Sequence, residues 1–149
     1  SSFSETMFPR ESLYEIEEAI GLIEDISKSW LPMLQISMRP QNLGHPEGFS
    51  KTEEGQKLIK EMREKWVAED LPRFLDFVQA KVEGGKWIAG GDSPTIADCL
   101  AVPVLRNFSR GHIDFVTTTA LDSHPKVVEY IKRFCALPEI AGRYTSGVH

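Results

Sequence analysis

The chain has 149 residues, 41% of them hydrophobic and 26% charged, with a formal net charge of −5. That length suits one domain with a substantial core, and the composition is far from that of a disordered chain. The acidic balance argues against a general binder of nucleic acid or anionic membrane surfaces, and no apolar run approaches the roughly 20 residues of a membrane span.

The first predicted helix runs from Arg10 to about Leu34. Its apolar residues Leu13, Ile16, Ile20, Ile23, Ile26, Trp30 and Leu34 recur at steps of three and four, which gives one stripe. Glu17, Glu18, Glu24 and Asp25 fall on the other side. Met38 to Ser50, punctuated by Pro40, Gly44, Pro46 and Gly48, reads as a loop. A second helix spans about Thr52 to Lys81, with Leu71, Phe74, Leu75, Val78 and Val82 as its clearest apolar face. Pro72 inside it predicts a bend near Ala68–Leu71. Gly84-Gly85 ends this helix.

The third helix, Thr95 to about Phe108, has the most informative start in the chain. Thr95 follows the loop Gly90-Gly91-Asp92-Ser93-Pro94, and Asp98 stands three positions on. This spacing predicts a capping box: the Thr95 hydroxyl accepts from an orphan amide, and the Asp98 carboxylate reaches back to the amide of Thr95. The apolar run Cys99-Leu100-Ala101-Val102 fixes this end against something buried, and Pro103 predicts a kink, not a stop. Gly111 closes the segment, and His112 to Ser123 reads as a loop. Pro125 suits the first turn of a fourth helix, whose face is Val127, Val128, Ile131, Phe134 and Cys135. Pro138 opens a short last helix ending near Gly142. The expected fold is all-α, a bundle of about five helices with the Thr95 helix at its centre.

Local chemistry is sparse. His45, His112, His124 and His149 are scattered, and none pairs with another ligand at i+3 or i+4, so no metal site is expected and each histidine is read as a surface or loop residue. No Ser/His/Asp set can be argued from a local motif, and the Gly pairs read as turn punctuation. Cys99 and Cys135 are read as reduced core thiols. Glu17-Glu18, Glu24-Asp25 and Glu53-Glu54 read first as solvated faces. The two long helices carry Ile16, Ile20, Trp30, Leu58, Met62 and Trp66, more apolar residues than one side of a small bundle is expected to hide.

Trp87-Ile88-Ala89-Gly90, a short Gly-rich loop and Thr95-Ile96-Ala97-Asp98 together resemble the signature of the C-terminal domain of glutathione transferases. Two further stretches match: His124-Pro125-Lys126-Val127-Val128 opening a helix, and Ala136-Leu137-Pro138-Glu139-Ile140 ending it and starting another. Met7-Phe8-Pro9 resembles the end of the linker entering that domain. The resemblance runs from about Phe8 to Tyr144. Pro94 departs from it, standing where the family usually has an aliphatic residue.

The resemblance implies a linker remnant over residues 1–9 and a glutathione-transferase-like helical domain over 10–149. No βαβ pattern is read in the chain and no secretory signal ahead of Phe8, so it is expected to be a fragment or free-standing copy of one half of a cytoplasmic enzyme. The thiol-activating group would belong to a thioredoxin-like domain, and this chain in isolation is expected to be inactive. Glutathione enters as co-substrate, with no other cofactor, and a small electrophile as its partner in detoxification. A homodimer, weakened by truncation, is implied. Asp25 is the carboxylate expected to meet the amino group of glutathione bound to the other subunit, with Glu24 as the alternative. Lys28, Leu31 and Gln35, further along the same helix, are expected to line the electrophile pocket. The alternative function is a non-catalytic interaction module of the kind found in translation-factor and aminoacyl-tRNA synthetase complexes.

Overall fold

The computed structural model describes residues 3–142. A one-turn helix, α1 (Phe3–Met7), and a 3-10 turn over Arg10–Ser12 lead into α2 (Leu13–Met38). Short 3-10 turns at Pro40–Leu43 and Phe49–Lys51 fill the expected loop. Then come α3 (Glu53–Val82), α4 (Ile96–Asn107), α5 (Pro125–Cys135) and α6 (Pro138–Ala141). No β-strand occurs among the described residues. The helical bundle expected from periodicity is the fold.

Helices α2, α3 and α4 each contain a proline, at Pro32, Pro72 and Pro103, and each continues through it. The ring removes one backbone donor per helix. Burial on both sides outweighs that loss: Trp30 and Ile36 flank Pro32, and Leu71 and Leu75 flank Pro72. Thr52 caps α3, its Oγ1 accepting from the Gly55 N–H at 3.0 Å. A Cβ on Gly55 would lie 1.8 Å from the Phe49 carbonyl oxygen, so only glycine lets the preceding turn close on this helix.

Helix α2 packs against α3 and α4, and both of these pack against α5. Ala97, Asp98, Ala101, Val102 and Leu105 of α4 are all buried, which puts the boxed helix in the core. The apolar surplus expected on the long helices is largely hidden within the chain, a correction to the sequence reading. Ile16, Trp30 and Trp66 are buried, and Ile20, Leu58 and Met62 are half-buried. The reason is an aromatic junction where α2, α3 and the end of α4 meet. Trp30 meets Trp66 edge-on with ring centroids 4.8 Å apart, and meets Phe108 at 5.2 Å and 90°. The large apolar residues left exposed are others, among them Tyr14, Leu31, Phe77 and Leu100.

Arg63 of α3 locks this junction. Its Nε and Nη2 donate to the Met33 carbonyl at 3.2 and 3.0 Å, Nη2 also to Ser37 Oγ at 2.9 Å, and Nη1 to the Asp114 carbonyl at 3.1 Å. Burial lowers the pKa of this guanidinium, opposed by the nearby Asp114 charge. One side chain thereby ties α2, α3 and the α4–α5 loop together. Cys135 is buried and Cys99 half-buried; both thiols are free, and burial raises the pKa of each.

Candidate functional site

The loop before α4 is built by local hydrogen bonds. Trp87 O accepts from the Gly90 N–H at 2.7 Å, and the Trp87 N–H donates to the Gly91 carbonyl at 3.2 Å. This turn delivers Thr95 to the head of α4 in extended backbone, and both arms of the capping box are formed. The Thr95 hydroxyl accepts from the Ala97 N–H at 3.3 Å, and Asp98 Oδ2 accepts from the Thr95 N–H at 2.8 Å. Asp98 does more than cap. Its Oδ1 accepts from the Ile88 N–H at 3.0 Å and from the Tyr130 hydroxyl at 2.6 Å, and the residue is 0% exposed. One carboxylate therefore joins the Trp87–Gly91 turn, the head of α4 and the middle of α5. Burial, then the Asp98 charge, pushes the Tyr130 hydroxyl far above the ordinary phenol range, which keeps it a donor. Thr95→Ala removes the hydroxyl arm, together with the long 3.5 Å bond that the same hydroxyl donates to Asp98 Oδ2. We expect it to cost about 1 kcal/mol in a chemical denaturation curve, and an unchanged midpoint would contradict the capping role.

The four residues expected at the glutathione and electrophile sites all lie on α2, and the structure distributes them between different surroundings. Asp25 lines an open groove of about 510 Å³ between α2 and α3, with Gly21, Leu22, Phe74 and Phe77 as its apolar part. Glu18 and Lys81 close one end and pair with each other. Lys28 lines a second groove, of about 600 Å³, between α2 and α4; Ile20, Ile23, Leu100 and Val104 make its floor, and Glu24 stands beside it. Leu31 is exposed and Gln35 half-buried, and neither lines one of these grooves. Among the described residues Asp25 and Lys28 have no ion-pair partner. The two carboxylates that compete in the sequence thus part company: Asp25 faces α3, and Glu24 faces α4.

The histidines require a correction. His112 is exposed and His45 half-buried, its ring stacked on Phe49 at 4.2 Å; both fit the loop reading. His124 does not. It is buried, with Nε2 2.6 Å from Asp76 Oδ1 and Nδ1 2.8 Å from Ser123 Oγ. Its carboxylate partner lies 48 positions away on α3, so no local motif could have revealed it. His149 and Tyr144 lie outside the described residues. Among the described residues no group of His, Cys, Asp and Glu could hold a metal, and no helix is long and apolar enough to cross a membrane.

Comparison with known proteins adds one match. A family model described as the C-terminal domain of glutathione S-transferase matches residues 42–145. Neither a curated protein nor a solved structure shows significant similarity to the chain.

Proposed function

The chain belongs to the glutathione S-transferase C-terminal domain family, and from that premise we propose that it is the helical half of a cytosolic transferase conjugating glutathione to small electrophiles. In this reading the α2–α4 groove forms one wall of the electrophile pocket. Ile20, Ile23, Leu100 and Val104 take the hydrophobic body of the substrate, and Lys28 sits at the rim to meet an anionic group on it. The α2–α3 groove is a contact face between two copies, where Phe74 and Phe77 supply apolar area and the isologous geometry brings each Asp25 toward the partner's glutathione.

The observation that carries the reading is the state of Asp25. Among the described residues it has no ion-pair partner and stands beside an apolar groove, whereas Glu18 in the same groove is already paired with Lys81. An ammonium group presented there would form a charge-assisted hydrogen bond. Glutathione is the co-substrate, and no other cofactor is invoked. Activation of its thiol falls to a thioredoxin-like domain, because every described cysteine, tyrosine and serine of this chain lies outside the two α2 grooves except Ser27.

The test is conjugation of glutathione to an aromatic electrophile, followed spectrophotometrically, by this chain alone and by this chain joined to a glutathione-transferase thioredoxin-like domain. We expect no turnover by the chain alone above its heat-denatured control, and turnover by the joined protein. Conjugation by the chain alone would overturn the division of labour and place a thiol-activating group within it.

A further inference from the structure

On the α3–α5 side of the bundle, three side chains that line neither α2 groove stand in hydrogen-bond sequence. The His124 ring is 92% inaccessible, its side chain being 8% exposed, while Asp76 on α3 and Ser123 just before α5 both reach solvent. Asp76 Oδ1 lies 2.6 Å from Nε2, and Ser123 Oγ lies 2.8 Å from Nδ1. A carboxylate only accepts, so Nε2 carries the proton; in the neutral ring Nδ1 is then an acceptor, and the Ser123 hydroxyl donates to it. This is the order of an activated nucleophile: hydroxyl, base, and a third group that fixes the base's tautomer and orientation. The ring itself is buried, while its two partners stand at the surface.

A cavity adjoins this set in the chain. Leu121 and Asp122, the two residues before Ser123, line a recess of about 380 Å³ together with Val128 and Ile131 of α5. Leu121, Val128 and Ile131 offer an apolar patch that suits an aliphatic group of a few carbons, and Ser109, Thr118, Thr119, Asp122 and Lys132 make the rest of the lining polar.

We propose that Ser123 is an acyl-acceptor site for activated short-chain acyl donors, such as aryl esters and thioesters, with His124 as general base and Asp76 as the residue positioning it. Ser123 Oγ attacks the acyl carbon as its proton passes to His124 Nδ1. The new O–C bond forms, the bond from the acyl carbon to the leaving oxygen or sulfur breaks, and the departing phenolate or thiolate takes the proton from Nδ1. The product is an O-acylated Ser123 and a free phenol or thiol, with no oxidant or metal required. Asp76 touches neither reactant and acts through the ring alone.

The experiment is incubation of the whole chain with 4-nitrophenyl butyrate, read by nitrophenolate release, intact mass and peptide mapping. Ser93 is exposed and, among the described residues, makes no hydrogen bond to an imidazole, which makes it an internal reference in the same molecule. The expected result is one butyryl group on Ser123, formed about a hundredfold faster than any on Ser93, the scale of a positioned general base. Ser123→Ala should abolish that label, and His124→Gln should slow Ser123 to the Ser93 rate. Asp76→Asn should slow it and Asp76→Glu restore it, with thermal melts confirming that both remain folded. A Ser123 rate equal to that of Ser93, or label confined to lysines, would overturn the proposal without reliance on any variant. An Asp76→Asn rate equal to the parent's would remove Asp76 from it.

Discussion

Replacing Asp98 by alanine should lower stability by about 3–5 kcal/mol, the largest effect of any single side chain at the head of α4. Four donors converge on that carboxylate: the Thr95 N–H, the Ile88 N–H and the Tyr130 hydroxyl at 2.8, 3.0 and 2.6 Å, and the Thr95 hydroxyl at a longer 3.5 Å. The substitution leaves them without an acceptor in a site that is 0% exposed, and each buried unsatisfied group costs about 1–3 kcal/mol. Partial entry of water into the vacated space offsets some of the sum. Against a total of about 5–15 kcal/mol this is a large fraction, and a fall in Tm on the order of 10–20 °C should accompany it. Asp98→Asn keeps the shape but turns an NH2 toward one of the same donors, so it should fall between the parent and alanine. Tyr130→Phe leaves Oδ1 its bond from Ile88 and should cost about 1–2 kcal/mol. Thermal melts of these variants should rank alanine, asparagine, phenylalanine in order of damage. An Asp98→Ala melt that overlays the parent would mean that the carboxylate does not organise the core.

The rank has a structural cause that bears on how much the sequence revealed. The box itself was legible because Thr95 and Asp98 are three residues apart and their bonds are local. The partners that make Asp98 expensive to lose are 10 and 32 positions away, and no periodicity points to them. Helix existence was readable from the apolar stripes, and family membership from the Trp87–Gly90 and Thr95–Asp98 stretches. That Trp30 and Trp66 are hidden within the chain, and not in an interface, was not readable, since it depends on Phe108, just past the end of α4, closing the junction. Helical spacing put Asp25 and Lys28 near each other on α2, yet the groove each one faces is decided by whether α3 or α4 packs beside it. His124 escaped for the same reason, its burial and its bond to Asp76 both being products of the α3–α5 packing.

The second large effect concerns binding. In a two-domain protein made by joining this chain behind a glutathione-binding thioredoxin-like domain, Asp25→Asn should weaken glutathione binding about ten- to a hundredfold. The substitution preserves the shape of the side chain and removes its charge, so the loss is that of a charge-assisted hydrogen bond of about 1.5–3 kcal/mol to the ammonium group. The contact is across the dimer, so the effect should vanish when the joined protein is diluted to the monomer. Glu24→Gln is the matched control: it removes a charge one residue away, in the groove facing α4.

Titration calorimetry of glutathione into the parent, Asp25→Asn and Glu24→Gln proteins therefore decides whether Asp25 holds the ammonium group. Asp25→Asn should raise Kd about ten- to a hundredfold, and Glu24→Gln should leave it unchanged. Weakening by Glu24→Gln alone would transfer the role to the other carboxylate, and equal affinities in all three would contradict the transferase reading of this domain in favour of an interaction module.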